Sequence, residues 1–161
     1  MAQRIALLLA IAALLLYLIM AAQFESLRQP LIIILSLPFG WAGSLALLTL
    51  TGHSLNLMSG IGIIIVSGIV VNDSILKVDA ANRLRKEYKR EAAILQAGLI
   101  RFRPIVLTTL TTILAVLPIA FMEGLGRIIQ LPLSIAIIGG ISMGTLASLF
   151  VIPLLYVGLG E

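Results

Sequence analysis

Asp73 lies in the stretch Gly68-Ile69-Val70-Val71-Asn72-Asp73-Ser74-Ile75-Leu76-Lys77, an acid with apolar sequence on either side. A carboxylate at membrane depth costs on the order of 3 kcal/mol to insert, so such residues face a protein interior, where they exchange a proton, bind an ion or pair with a base. Lys77 stands four residues later on the same helical face. It either forms an ion pair in the favourable acid-first order or carries its amino group out to the headgroups. Further on, Arg101 and Thr108 are seven residues apart, two helical turns, and face one way if their helix extends back past Pro104. Thr109, Thr111 and Thr112 follow, although threonines in such helices bond mostly to their own backbone. Proton uptake and release is the chemistry this set supports. Hydrolysis is not: one histidine, His53, no cysteine and seven scattered acids supply no nucleophile, base and orienter. The same inventory offers no metal site and calls for no cofactor.

The elements that must position these residues follow from the spacing of charge. Of 161 residues, 60% are hydrophobic and 11% charged, and the mean hydropathy is +1.16, which excludes an ordinary soluble globule. Uncharged runs of 20, 44, 19 and 33 residues separate Arg4 from Glu25, Arg28 from Asp73, Arg103 from Glu123 and Arg127 from Glu161. A helix crosses the hydrocarbon core in roughly 20 residues. The longest run divides at the polar turn Thr51-Gly52-His53-Ser54-Leu55-Asn56. The expectation is an all-α, polytopic membrane bundle forming a single transmembrane domain over 1–161, with five transmembrane helices at about 4–22, 30–50, 56–79, 104–122 and 129–156. Runs such as Ile61 to Val71 are apolar on every side, which rules out the alternating strands of a membrane barrel.

Basic residues orient the bundle. Nine of them, Arg28, Lys77, Arg83, Arg85, Lys86, Lys89, Arg90, Arg101 and Arg103, fall on one side, against Arg4 and Arg127 on the other. The 80–103 loop is therefore expected in the cytoplasm, the N-terminus outside and the C-terminus inside. An outside N-terminus suits a piece of a longer chain whose preceding part lay outside; a signal peptide ending near Ala21-Ala22 is the alternative. The net charge of +4 is met by anionic lipid beside the membrane and needs no nucleic acid. Leu84, Tyr88, Ala92, Leu95 and Leu99 recur at helical spacing, which predicts an amphipathic helix over about 81–100 on the cytoplasmic surface, with a solvated connector as the alternative.

Small residues predict where helices meet, since apolar side chains gain nothing by leaving lipid for one another. Ala136, Gly140, Gly144 and Ser148 form one stripe at four-residue steps on the last span. Gly60, Ser67 and Ser74 recur on the third, and Gly40 with Ser44 on the second. Pro38 and Pro118 predict interruptions of the second and fourth spans.

Several segments together resemble one family. They are Ala21-Ala22-Gln23-Phe24-Glu25-Ser26, Thr51-Gly52-His53-Ser54-Leu55-Asn56, GIVVNDSILKVD from Gly68 to Asp79, RFRPIVLTTLTTILAVLPIA from Arg101 to Ala120, and Phe150-Val151-Ile152-Pro153-Leu154-Leu155-Tyr156. In this order they are similar to the second-half transmembrane bundle of resistance-nodulation-division (RND) efflux pumps, proton-driven permeases of the bacterial inner membrane. The resemblance implies the last five helices of that half. It also implies partnership with the remaining half, a periplasmic porter domain and the lipid bilayer, a homotrimeric assembly, and export of multidrug or xenobiotic type. It further implies a proton relay in which Asn72 and Asp73 occupy the helper position, with Arg101 and Thr108 on the next helix. Here the sequence departs from the family pattern: Asn72 stands where the best-known drug pumps carry a lysine, which suggests that Asp73 itself carries a proton. An isolated bundle with a structural or assembly role is the alternative function, and a protein-export accessory of the same superfamily a third.

Overall fold

A computed structural model describes residues 14–15, 17–121 and 123–159. Among the described residues the fold is all-α, with four helices long and apolar enough to cross a membrane: Arg28–Leu50, Leu57–Leu84, Arg90–Ile119 and Gly126–Gly158. The first expected span, 4–22, lies largely outside the described residues. Its end is helical over 17–24, and Glu25 closes it in the left-handed conformation (φ 50°).

The elements are α1 (Arg28–Ile34), α2 (Leu37–Leu50), α3 (Leu57–Leu84), α4 (Arg90–Val116), α5 (Leu125–Leu146) and α6 (Ile152–Leu159). Local chemistry sets the breaks. Ser36 donates to the Ile33 carbonyl at 2.6 Å where α1 gives way to α2, and Pro38 sits in the first turn of α2, where its missing N–H costs nothing. Gly52 adopts φ 72° in the turn after α2. Asn56 then caps α3: its side chain accepts from the Ser59 N–H at 2.9 Å, while Ser59 Oγ accepts from the Asn56 N–H at 2.8 Å. Pro118 converts the end of α4 into a 3₁₀ turn, Leu117–Phe121. Between α5 and α6 the chain makes one π turn, Ala147–Val151.

The separate surface helix expected over 81–100 does not exist. Its first residues complete α3, which runs to Leu84, and residues from Arg90 onward open α4, which starts fourteen residues before Pro104. The five-span bundle with an added amphipathic helix is replaced by long helices joined across the short segment 85–89. Tyr88 N–H still reaches the Leu84 carbonyl at 2.9 Å, but Lys89 is extended (ψ 153°), and that one residue turns the chain.

The last span is the centre of the packing. It lies parallel to α3 and antiparallel to α2, and both contacts are nearly backbone to backbone. Along α3, Gly62 meets Ala136 and Leu133, and Val66 and Val70 fill the spaces over Gly140 and Gly144. Along α2, Gly43 meets Gly139, and Ser44 donates to the Ala136 carbonyl at 2.8 Å. By contrast, only 6% of the most apolar stretch of α4 is buried, against 56% for the last span, so α4 is attached by one edge and open elsewhere.

Candidate functional site

Asp73 projects from α3 into the bundle and is 7% exposed. It follows Val70, which packs over Gly144, and precedes Lys77 by one turn. Among the described residues its carboxylate has neither a hydrogen bond nor an ion pair. Lys77 is fully buried and neither pairs with Asp73 nor reaches toward the headgroups. Its Nζ donates across to the last span, to the Ser148 carbonyl at 2.5 Å and the Leu149 carbonyl at 3.3 Å. Both readings of Lys77 as partner or snorkelling base give way to a contact between its amino group and main-chain oxygens.

The other residues of the expected relay are not gathered around Asp73. Asn72 is exposed on the outer side of α3. Arg101 is half-buried in a cavity of about 360 Å³ with Leu76, Asp79, Ala80 and Arg83, and its Nε is buried without a partner among the described residues. Thr108 is exposed and donates to the Pro104 carbonyl at 2.9 Å. Thr111 and Thr112 likewise bond to carbonyls of their own helix. Thr109 bonds to the Ile105 carbonyl in the same way at 2.9 Å, and its hydroxyl also lies 2.6 Å from that of Thr145 and joins α4 to the last span. Because Gly144 faces Val70 and Ser148 faces Lys77, this hydroxyl pair stands at the level of Asp73.

A polar clasp that sequence reasoning missed closes the end of the bundle nearest the basic segment. Gln29 and Asn82 exchange two hydrogen bonds, 3.0 and 2.6 Å. The Tyr156 hydroxyl donates to Asn82 Oδ1 at 2.7 Å. Arg90 donates to the Tyr156 carbonyl at 2.7 Å, and its guanidinium lies 5.4 Å from the centre of the Tyr156 ring. Four elements meet there, at separations of 53 and 74 residues, which no local spacing reveals. Asp79 stands apart, paired with the exposed Arg83 at 3.0 Å.

Four described helices long and apolar enough to cross a membrane, in close backbone contact with an acid and a base sequestered between them, make up a polytopic membrane bundle. The sequence model of the AcrB/AcrD/AcrF family matches residues 1–160, and the chain belongs to that family, which comprises RND transporters and not enzymes. It is 39% identical over 142 residues to the multidrug resistance protein MdtC of Erwinia tasmaniensis, a match covering 87% of this chain and 14% of that protein. An uncharacterized transporter of Haemophilus influenzae is 33% identical over 155 residues, 91% of this chain and 15% of its own. The solved structure of a heavy metal efflux pump superposes with a TM-score of 0.86 at 32% identity, over 98% of this chain and 16% of the pump. The chain thus spans only 14 to 16% of the length of these relatives.

Proposed function

We propose that this chain is the membrane module of the C-terminal half of an inner-membrane RND permease and that Asp73 exchanges protons there during export. The observation that carries the reading is Asp73 itself, an acid 7% exposed within an apolar span and bonded to no described residue. Asn72 and Thr108, on open faces, and Arg101, half-buried, are assigned to the contact with the remaining half, where they complete the relay. Lys77 contributes a fixed dipole-bound amino group one turn away. The open face of α4 suits the same contact or lipid. The N-terminus is assigned to the periplasm and the C-terminus to the cytoplasm, and a periplasmic porter domain and a trimeric assembly are proposed as its partners, a reading that family membership supports. Relatives named for multidrug resistance are the basis for assigning xenobiotic compounds as cargo.

The test is Asp73→Asn in the protein as the cell makes it. Amide and carboxylic acid are nearly isosteric, so insertion should be unchanged while export falls by about a hundredfold or more, the usual scale for loss of a proton-transfer group. Asp79→Asn should leave export within twofold or so, because an exposed i,i+4 pair contributes little. Equal export by wild type and Asp73→Asn would refute the role.

A further inference from the structure

The π turn before α6 and the proline that follows it together leave the Ser148 carbonyl without a backbone donor. In the π turn the Ile152 N–H bonds to the Ala147 carbonyl, five residues back. It is therefore lost to Ser148, its partner in a regular α-helix. The next donor available to the Ser148 carbonyl in π geometry, and the regular α partner of the Leu149 carbonyl, is the nitrogen of residue 153. That residue is Pro153, which has no N–H. Within a bilayer no water replaces such a donor, and an orphaned carbonyl carries a penalty. Lys77 Nζ is bonded to these two oxygens, at 2.5 and 3.3 Å, from a neighbouring helix.

We propose that Lys77 is a positioning residue that supplies from α3 the donor that Pro153 removes from the last span, and so fixes the bend of that span. Five residues further along α3, Asn82 accepts from the Tyr156 hydroxyl of α6. The segment after the π turn is therefore held by α3 at two levels, and a displacement of α3 carries α6 with it. The inference concerns shape and coupling between helices. It stands whether or not Asp73 exchanges a proton.

Restoring the missing donor tests it. Lys77→Met keeps the length and burial of the side chain and removes its N–H groups; Pro153→Ala returns a backbone N–H to position 153. In the native-length protein in lipid nanodiscs, amide hydrogen exchange over residues 147–157 should be about tenfold faster in Lys77→Met than in wild type. In the Pro153→Ala background the same substitution should change exchange by no more than about twofold. Equal acceleration in both backgrounds would overturn the assignment, because Lys77 would then act through something other than the proline's missing donor. Should Lys77→Met fail to accumulate in the membrane, recovery of the protein by Pro153→Ala supports the proposal and failure in both backgrounds overturns it.

Discussion

Gly43 and Gly139 lie against one another so closely that a Cβ built on either would run into the other's carbonyl. Contacts of this kind draw α2 and the last span together, because in lipid packing and polar bonds replace the hydrophobic drive. Larger residues cannot be accommodated by a side-chain shift when the obstacle is main chain. Gly139→Leu, and Gly140→Leu and Gly144→Leu beside Val66 and Val70, should each destabilise the purified protein by at least about 2 kcal/mol. Leu154→Ile, at a residue 74% exposed, should be nearly silent. Thermal unfolding in detergent reads the difference, and equal melting of all four variants would show that the stripe bears no load.

The clasp at the other end of the last span should behave as a unit. Asn82→Ala removes the acceptor of Tyr156 and both bonds to Gln29, and should cost about 2 kcal/mol; Tyr156→Phe, losing one bond, should cost about 1 kcal/mol. Their combination should cost less than the sum, since both remove the same Tyr156 bond. Additive losses in denaturant titrations would mean that the two residues are stabilised separately.

Gln29, Asn82, Arg90 and Tyr156 bring residues flanking 28, 82–90 and 156 to one end of the bundle. The proposed topology puts that end, with its excess of lysine and arginine, in the cytoplasm. Reporters inserted near Lys89 and appended to the C-terminus should both register the cytoplasm, and one at His53 the periplasm. Opposite compartments for the first two would contradict the arrangement.

Helix class and the presence of several long apolar spans were legible because uncharged length and the polar turn at Thr51 to Asn56 leave few alternatives. Residues 81–100 were misread for a physical reason: Leu84, Tyr88, Ala92, Leu95 and Leu99 keep helical spacing through a segment where the extended Lys89 reverses the chain. A periodic pattern carries no mark of one residue's ψ. Pro104 likewise suggested a boundary, yet α4 continues through it. Asp73 stood out by contrast with its apolar neighbours, and its burial agrees with that contrast. The destination of Lys77 was hidden, since it depends on a π turn 71 residues away, and the Asn82 clasp was hidden by the same kind of distance.

The proton role proposed for Asp73 requires that its carboxyl change protonation state within the membrane. Infrared difference spectra of carboxyl C=O bands, recorded across pH on the native-length protein in lipid and repeated on Asp73→Asn and Asp79→Asn, observe that event directly. A titrating carboxyl band should disappear in Asp73→Asn and persist in Asp79→Asn. A set of carboxyl bands identical in wild type and Asp73→Asn would contradict that role and leave Asp73 a buried acid with no part in proton movement.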